Sequence, residues 1–411
     1  MTKQLVIIGN GSAANRVLEE LDLHHPFDQI TVISDERIPH YNRIMLSPLL
    51  ANETTLANIT PHDATWYNER RIHIIYGDAA QSVDTEKNFV ITQTGKTIHY
   101  SELVFATGSR SFIPPIPRAN QPAVIGFRGM NDVDAMLSQL EHLQHATVIG
   151  AGLLGVEAAV GLRQRGVEVT LMHRNSVLMN RQLDNTASQV LTHALNDRGI
   201  DVITGANPVA INTRVGVTNA VEYRLANDAS NTLNTLETQL VIFATGITPN
   251  TELAAASGLR TNRGICVDAQ MKTSVNNIYA LGECCEFDGI TYGLVAPIWN
   301  QAKVVASALK EQPHESYCEQ THLTKLKVSG LDVHSIGEYA SEDLNDTMVY
   351  QDLSLGIYKK LIIKENKIVG VLCVGDITDS NWYYQLMINN TDIQSLRAAL
   401  LLGQSYCECA E

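Results

Sequence analysis

The sequence has little positive charge, no long apolar run and few cysteines for its length. Lysines and arginines number 30 against 44 aspartates and glutamates, so the formal net charge is −14. This balance disfavours nucleic acids and anionic membrane surfaces as partners. No stretch approaches the roughly 20 apolar residues that span a bilayer, and no signal-peptide pattern precedes the first predicted strand at Gln4. We therefore expect a cytoplasmic protein without a membrane segment.

The seven cysteines and thirteen histidines show no spacing typical of a metal site. An odd number of cysteines favours free thiols in a reducing compartment. Cys284 and Cys285 are adjacent, and because vicinal cysteines rarely form a disulfide, we interpret them as buried thiols. Cys407 and Cys409 offer two sulfur ligands where an iron–sulfur cluster needs four. The sequence thus predicts no complete iron–sulfur site and no other metal site.

What the chain does have is two glycine-spaced turns, each between a β-branched apolar run and a helical pattern. They are Leu5-Val-Ile-Ile-Gly-Asn-Gly-Ser-Ala-Ala14 and Thr147-Val-Ile-Gly-Ala-Gly-Leu-Leu-Gly155. A strand that enters a helix in this way brings backbone N–H groups and the positive end of the helix dipole together, which suits a pyrophosphate. One such turn is a weak signal, but two in one chain predict two dinucleotide sites.

The second strand of each unit ends in different residues. The predicted strand over 29–33 is followed by Asp35 and Glu36, and an acid about 20 residues beyond the glycine turn accepts a ribose 2′-hydroxyl; the alternative is a solvated loop acid. The strand over 168–172 is instead followed by His173 and Arg174. An arginine there favours the 2′-phosphate of NADP, but this one residue does not decide the coenzyme. The choice between NADH and NADPH therefore stays open.

Two further runs repeat one another almost letter for letter, Leu103-Val-Phe-Ala-Thr-Gly108 and Leu240-Val-Ile-Phe-Ala-Thr-Gly246. A duplication of strand–turn–helix units explains the repeat. Beyond about residue 312 the pattern changes to a hairpin over 355–374 and a predicted helix over 382–402, which indicates a small α+β domain. The predicted fold class is α/β, with two Rossmann-like dinucleotide-binding domains of the glutathione-reductase type and this C-terminal domain.

Five motifs occur in a fixed order: Gly9-x-Gly11, Ala106-Thr-Gly108, Gly150-x-Gly152-x-x-Gly155, Ala244-Thr-Gly246 and Tyr279-Ala-Leu-Gly-Glu283. As a set they resemble the two-dinucleotide flavoprotein reductases. Residues 41–51, 178–184, 292–297 and 324–333 resemble the flavin module of the assimilatory nitrite reductase large subunit, and rubredoxin reductases are similar too. The resemblance implies a discontinuous FAD-binding domain (1–115 and 240–311), an NAD(P)H-binding domain (116–239) and a C-terminal domain (312–411).

The resemblance also implies which residues line the two sites, with Glu157 near the nicotinamide as the candidate catalytic residue. The implied FAD site consists of Gly9, Gly11, Ser12, Ala13, Ala14, Asp35, Glu36, Arg43, Ser47, Ala80, Ala106, Thr107, Gly108, Arg128, Gly282 and Glu283. The implied nicotinamide nucleotide site consists of Gly150, Gly152, Leu153, Leu154, Gly155, Glu157, His173, Arg174 and Gly246. Two departures stand out: Ala14 replaces a third glycine, and Pro48 replaces a lysine that relatives use near the flavin.

Together these features predict an NAD(P)H-dependent flavoprotein oxidoreductase that transfers hydride to FAD and passes electrons to a separate carrier or a nitrite reductase partner. Hydride transfer is chemistry of the cofactors, so no catalytic triad is required. One alternative is a rubredoxin or ferredoxin–NAD(+) reductase, and another is a redox-sensing FAD- and NAD-binding interaction protein. The acceptor, whether rubredoxin, ferredoxin or a nitrite reductase subunit, and a homodimeric state are left open.

The lysines are unevenly placed, since eight of the twelve lie beyond position 300. They predict either a docking surface for an acidic carrier that includes Lys359 and Lys360, or an ordinary solvated face.

Overall fold

The computed structural model describes residues 3–408 except 215–216, 314, 321–322, 327–329, 331 and 340–346. The chain forms two compact units. The first consists of Met1–Met45, Thr54–Arg110 and Ile247–Gln320, and the second of Leu46–Glu53, Ser111–Gly246 and Thr321–Glu411. No helix in the described ranges is both long and apolar enough to cross a membrane. The division into three domains remains a prediction.

The strands, in chain order, are β1 (Gln4–Ile8), β2 (Gln29–Ile33), β3 (Ile72–Ile75), β4 (Ala80–Asp84), β5 (Phe89–Thr92), β6 (Thr97–His99), β7 (Glu102–Phe105), β8 (Ser109–Ser111), β9 (Val124–Gly126), β10 (His145–Ile149), β11 (Glu168–Met172), β12 (Ile200–Ile203), β13 (Ala206–Arg214), β14 (Val217–Leu225), β15 (Asn234–Glu237), β16 (Leu240–Phe243), β17 (Ile247–Pro249), β18 (Ile265–Val267), β19 (Ile278–Ala280), β20 (Cys285–Phe287), β21 (Ile290–Thr291), β22 (Thr324–Lys325), β23 (Val333–Gly337), β24 (Thr347–Asp352), β25 (Ile357–Lys364) and β26 (Lys367–Val374). The helices are α1 (Ser12–Leu21), α2 (Leu46–Leu50), α3 (Ala64–Glu69), α4 (Met130–Leu137), α5 (Leu153–Gln164), α6 (Asn185–Asp197), α7 (Glu252–Ala256), α8 (Ala296–Leu309), α9 (Ser380–Ile388) and α10 (Gln404–Glu408).

The first unit is organised around a parallel sheet in the order β19-β7-β1-β2-β3. Its central strand β1 reads Gln-Leu-Val-Ile-Ile, and Leu5, Val6 and Ile7 are fully buried. A continuous β-branched and aliphatic run is typical of a parallel strand that is covered on both faces. Helix α1 buries Val17, Leu18 and Leu21 and packs against α8. Two small sheets, β4-β5-β6 and β18-β20-β21, also belong to this unit.

The second unit repeats the arrangement with a parallel sheet in the order β12-β11-β10-β16-β9. Strand β10 enters α5 through the second glycine turn, just as β1 enters α1 through the first. An antiparallel sheet, β13-β14-β15, contributes Ile211 and Val221 to a core shared with Ile149 and Phe243. The antiparallel sheet is absent from the prediction because its strands carry many polar residues.

The C-terminal sheet, defined as β22 to β26, is antiparallel in the order β22-β23-β26-β25-β24 and is covered by α9. The predicted hairpin joins β25 to β26 through Glu365 and Asn366, both of which have positive φ as this tight turn requires. The predicted α/β fold class with an additional C-terminal domain is confirmed.

The helix predicted over 382–402 is wrong in length, because α9 ends at Ile388. Asn390 then adopts a left-handed conformation with φ +51°. Asparagine tolerates that conformation and competes with the helix backbone for hydrogen bonds, so the apolar periodicity beyond it does not continue the helix. Only a short 3-10 turn, Leu400–Leu402, and α10 follow.

Candidate dinucleotide sites

The first glycine turn packs closely against the chain that leaves β7. Gly9 has φ +107°, and an ideal Cβ there would lie 2.2 Å from the carbonyl oxygen of Ala106, so only glycine fits. Gly11 precedes α1 and supplies no side-chain cap. Ser12, Ala13 and Ala14 form the first turn of α1, whose N–H groups have no helical partner. The turn therefore provides a backbone cradle for an anion.

One cation lies beside this cradle. An ideal Cβ on Gly11 would be 3.7 Å from Nε of Arg43. The Arg43 guanidinium stacks over the ring of Tyr41 at 4.9 Å, donates to its hydroxyl oxygen at 2.8 Å and pairs with Glu36 at 3.1 Å. These contacts fix the guanidinium next to the turn. The carboxylate of Glu36 is thereby engaged by Arg43, whereas Asp35 is exposed directly beyond β2.

A buried histidine, which the sequence reasoning missed, supports the same turn. The Nδ1–H of His40 donates to the carbonyl oxygen of Asn10 at 3.1 Å. Burial lowers the pKa of His40 to about 4, because the charged imidazolium loses its hydration. The ring is neutral at physiological pH and adds no charge to that of Arg43. The sequence signal that could have indicated it is its position directly before residues 41–51, which carry the resemblance.

The ends of β7 and β19 bring more of the predicted residues to this turn. Gly282 has φ +80°, and an ideal Cβ there would be 2.9 Å from the methyl group of Ala13. Glu283 follows at once, and its Oε2 accepts a hydrogen bond from the hydroxyl of Ser109 at 2.7 Å. The Thr107 hydroxyl donates to the Asn250 carbonyl oxygen, and the Asn250 side chain donates to the Thr107 carbonyl oxygen, both at 2.8 Å.

Three further predicted FAD-site residues belong to other elements. Ala80 begins β4 in the small antiparallel sheet and is half-buried. Arg128 and Ser47 belong to the second unit. The backbone N–H of Arg128 donates to Asp132 at 2.6 Å, immediately before α4.

The second glycine turn repeats the constraint of the first. Gly150 has φ +108°, and an ideal Cβ there would lie 2.4 Å from the carbonyl oxygen of Ala244. A Cβ on Gly155 would lie only 1.7 Å from the carbonyl oxygen of Gly150. The equivalent position in the first turn carries Ala14, whose methyl group is fully buried, so that turn is the wider of the two. Leu153 and Leu154, both half-buried, begin α5.

His173 is engaged on both ring nitrogens. The backbone N–H of Ala151 donates to its Nδ1 at 3.2 Å, so the proton is on Nε2, which donates to Oδ1 of Asn180 at 3.3 Å. Burial lowers the pKa of His173, which favours this neutral form. Arg174, the next residue, is exposed, and so is Gly246 at φ +127°. Arg174 is thus the exposed cation at the end of β11.

Glu157 is buried in α5 and accepts a short hydrogen bond of 2.6 Å from the hydroxyl of Ser47 in α2. The two helices lie against each other further along as well. An ideal Cβ on Gly161 would be 3.1 Å from the Leu50 side chain, and Nε of Arg165 donates to the Leu50 carbonyl oxygen at 2.7 Å. With Pro48 in place of a lysine, a neutral hydroxyl binds the Glu157 carboxylate.

Comparison with known proteins identifies the family in which these paired turns occur. Residues 3–311 match the pyridine nucleotide-disulphide oxidoreductases, and residues 323–391 match the rubredoxin NAD+ reductase C-terminal domain. The chain belongs to the pyridine nucleotide-disulphide oxidoreductase family. The predicted resemblance, the predicted class of enzyme and the cofactor pair of FAD with NADH or NADPH are confirmed at the level of this family.

The relatives include two proteins of Bacillus subtilis (strain 168). The chain is 37% identical to an assimilatory nitrate reductase electron transfer subunit, over 98% of this chain and 51% of that protein. It is 40% identical to a nitrite reductase [NAD(P)H], over 95% of this chain and 48% of that protein. The chain therefore spans about half the length of these relatives. A solved ferredoxin reductase for the CYP199A2 system from Rhodopseudomonas palustris is 26% identical, with a TM-score of 0.80 and 93% of each chain covered.

The residues present fit the two dinucleotides of the family. In each glycine turn a side chain would collide with a carbonyl group. Glycine therefore leaves the backbone N–H groups of the turn accessible to a pyrophosphate. The first turn has Arg43 beside it, and the second has Arg174 at the end of its second strand.

The six cysteines that the structure describes are all free. Cys284 and Cys285 are free and fully buried, which confirms the prediction of buried thiols. Burial raises the pKa of both thiols, so the reactive thiolate is disfavoured. Cys407 is buried too, while Cys409 lies outside the described residues. Among the described residues, no group of three or more histidine, cysteine or acidic side chains could hold a metal ion.

The interpretation of Lys359 and Lys360 as part of a docking surface is wrong. Lys359 is only 5% exposed and pairs with Asp376 at 2.6 Å. Lys360 is 9% exposed and pairs with Asp184 at 3.0 Å. The position of the two lysines in the sequence does not reveal that residues on both faces of β25 are buried.

Proposed function

We propose that this protein is an FAD-dependent NAD(P)H oxidoreductase that transfers hydride from NAD(P)H to FAD and delivers electrons to a separate redox protein or a nitrite reductase partner. The observation that carries the proposal is the pair of glycine turns, one in each unit. An ideal Cβ on Gly9 or on Gly150 would collide with a carbonyl oxygen of a neighbouring strand end, so both turns have the same close backbone packing. The FAD would supply a centre that accepts hydride and releases single electrons.

In this proposal the first unit holds FAD. Its pyrophosphate would lie on the N–H groups at the start of α1 with Arg43 as counter-charge. Asp35, exposed beyond β2, would accept from the adenosine ribose. Glu283, oriented by Ser109, would accept from the ribityl hydroxyls.

The second unit would hold the nicotinamide nucleotide at the start of α5. Glu157, with its carboxylate oriented by Ser47, would lie near the nicotinamide. The exposed guanidinium of Arg174 would contact the 2′-position of the ribose, where a phosphate distinguishes NADPH from NADH. The neutral, fully engaged ring of His173 would shape the turn and contribute no charge.

The acceptor is proposed from the relatives and from the cysteines. The names of the Bacillus subtilis relatives, an electron transfer subunit and a nitrite reductase, support a redox protein or a nitrite reductase subunit. The buried, protonated state of Cys284 and Cys285 disfavours a disulfide substrate. The match of residues 323–391 to the rubredoxin NAD+ reductase C-terminal domain favours rubredoxin–NAD(+) reductase as the second candidate function.

The finer parts of the proposal are a three-domain chain with bounds near 115, 240 and 312, a cytoplasmic location and a homodimer. The repeat of the strand–turn–helix unit supports the first of these, and the free thiols support the second. Light scattering of the purified protein at several concentrations tests the homodimer.

The experiment that tests the function follows the flavin. The purified protein should carry the absorbance of oxidised flavin, and anaerobic addition of NADH or NADPH should bleach it within seconds. Rubredoxin, ferredoxin, nitrite or ferricyanide is then added to separate samples, and the return of the absorbance identifies the acceptor. Bleaching without reoxidation by any protein carrier would favour the redox-sensing alternative, and a protein without flavin would overturn the proposal.

A further inference from the structure

The loop between β11 and α6, residues 173–184 and called here the linking loop, contacts the second glycine turn at Ala151. The N–H of Ala151 donates to Nδ1 of His173 at 3.2 Å, and its carbonyl oxygen accepts from the N–H of Met179 at 2.8 Å. Ala151 stands between Gly150 and Gly152, so both of its peptide groups belong to the proposed phosphate cradle. The linking loop therefore fixes the backbone orientation of that cradle.

The linking loop is itself tightly held. Leu178, Met179 and Leu183 are buried, and Met179 adopts a left-handed conformation with φ +47°. For an unbranched L-residue this conformation costs about 1 kcal/mol or more and persists only when its surroundings impose it. Asn180 contributes to that constraint, because its Oδ1 accepts from Nε2 of His173.

The C-terminal sheet and Tyr339, two residues beyond β23, add to the constraint in four hydrogen bonds. The Tyr339 hydroxyl donates to the Asn180 carbonyl oxygen at 3.0 Å, and the Ser335 hydroxyl donates to the Gln182 carbonyl oxygen at 2.7 Å. At the end of the loop, Oδ2 of Asp184 accepts from the Tyr358 hydroxyl at 2.8 Å and from Nζ of Lys360 at 3.0 Å. All of these residues belong to the second unit.

Asp184 is the point where the loop becomes a helix. Its Oδ1 caps α6 by accepting from the N–H of Ala187 at 3.0 Å, while its Oδ2 is bound by Tyr358 and Lys360. Helix α6 also packs against β25 and β26. Removing the Lys360 ammonium would leave the Asp184 carboxylate half-paired, which weakens the cap and loosens the loop that begins at His173.

We propose that Lys360 and Tyr358 are positioning residues for the nicotinamide nucleotide, acting through Asp184 and the linking loop on the glycine turn around Ala151. The inference rests on the proposed function in one respect only, namely that this turn binds NAD(H) or NADP(H). The C-terminal sheet thus contributes to nucleotide affinity although it does not form the glycine turn itself.

The chain offers a matched control in the neighbouring residue. Lys359 is also a buried lysine of β25 with one carboxylate partner, Asp376, at 2.6 Å. Adjacent residues of a strand point to opposite faces of the sheet, and Asp376 lies beyond β26 and outside the linking loop. Lys359→Met thus removes a comparable ion pair without touching Asp184.

The test measures equilibrium binding of NAD+ and NADP+ to the flavin-loaded protein by titration calorimetry, with flavin content and melting temperature recorded for every variant. Neither nucleotide reduces the flavin, so the readout is independent of turnover. We expect Lys360→Met and Tyr358→Phe to weaken nucleotide binding by about fivefold or more. Lys359→Met should leave affinity unchanged although it lowers the melting temperature, and Lys360→Arg should restore most of the affinity.

Equal affinities for the wild type and Lys360→Met would overturn the inference, as would an equal loss in Lys359→Met. If Lys360→Met does not fold, Tyr358→Phe decides the question alone, since it removes one hydroxyl and keeps the ring. A wild-type protein that binds neither nucleotide would instead contradict the proposed function.

Discussion

Single residues set the charge that each proposed site presents to its ligand. Arg43 lies beside the first turn, where it pairs with Glu36 and donates a hydrogen bond to Tyr41. Arg174 is instead exposed at the end of β11. A guanidinium already bound by a carboxylate suits a resident cofactor whose phosphate completes its contacts. An exposed guanidinium suits a nucleotide that exchanges with solvent.

Arg174→Ala tests the coenzyme contact. The substitution should reduce kcat/KM for NADPH by about tenfold, the order expected for one hydrogen bond to a charged group, and should change the value for NADH little. Steady-state ferricyanide reduction with each coenzyme measures both. An unchanged ratio of the two values would exclude Arg174 from coenzyme selection.

Ser47→Ala tests the bond to Glu157. Loss of the hydroxyl leaves a buried carboxylate one donor short, so the free energy of unfolding should fall by about 1–3 kcal/mol. Flavin bleaching by NADH in a stopped-flow instrument should slow as well if Glu157 acts near the nicotinamide. Glu157→Gln is the control for stability, because its amide oxygen still accepts the hydrogen bond from Ser47. A Ser47→Ala variant as stable as the wild type would contradict the expected loss.

The position of Glu102 makes the stability of the protein depend on pH. It is half-buried, Oε2 has no hydrogen-bond partner in the described part of the chain, and burial raises its pKa to about 7. The folded protein therefore binds a proton on the Glu102 carboxyl group more tightly than the unfolded chain does. The contribution of this proton to the free energy of unfolding is complete below the ordinary pKa of 4.5 and is lost as the pH rises through 7.

Replacing Glu102 with glutamine should remove that part of the pH dependence. The variant should melt at a higher temperature than the wild type at pH 8, and the difference should shrink towards pH 5. Calorimetric melting curves across this range measure it. A wild type and variant that differ by the same amount at both pH values would show that Glu102 does not titrate in this range.

At the scale of elements, the decisive feature is how closely each strand–helix unit is packed. The third position of the first turn accommodates the methyl group of Ala14, while the same position of the second turn has no room for one. The close approach of α5 to the turn after β10 therefore requires glycine at position 155.

Gly155→Ala should displace the start of α5, because the new methyl group would meet the Gly150 carbonyl oxygen. We expect a loss of about 1–3 kcal/mol in the free energy of unfolding and weakened NAD+ binding, with flavin content retained. Ala14→Gly is the matched control, since it removes a methyl group at the equivalent position and should cost no more than about 1 kcal/mol. Calorimetry and flavin absorbance report both effects; unchanged NAD+ affinity in Gly155→Ala would contradict the role of this turn.

At the scale of the whole molecule, Lys360 of β25 connects the C-terminal sheet to the rest of the second unit. Lys360 binds Asp184 across to α6, and Lys359 binds Asp376. Both lysines are buried, so their ion pairs stabilise the packing of the unit.

Reversing both charges with Lys359→Glu and Lys360→Glu should therefore unfold the protein at a lower temperature and slow every activity together. Both lysines are buried, so the two new carboxylates would be buried without a cation beside them and would also repel Asp376 and Asp184. Lys367→Glu, at an exposed position of the same hairpin, is the control and should change little. A double variant that melts normally and slows only carrier reduction would restore the docking interpretation.

The sequence by itself determined the strand–turn–helix order of the two glycine-turn units and the C-terminal hairpin. Strands β2 and β11 have the bounds that their apolar patterns predict, and β25 and β26 lie within the predicted hairpin, because buried parallel strands and tight hairpins depend on local composition and turn residues. The two glycine turns were predictable for the same reason, since their geometry requires glycine at fixed spacing.

Tertiary structure alone decided which side chains contact one another over long sequence separations. Ser47 and Glu157 are 110 residues apart, and Lys360 and Asp184 are 176 residues apart. His173 lies beside the expected ribose contact, yet the chain around it occupies both of its ring nitrogens. Composition and periodicity specify which face of an element is buried, but the partner of a buried charge is set only when distant elements pack together.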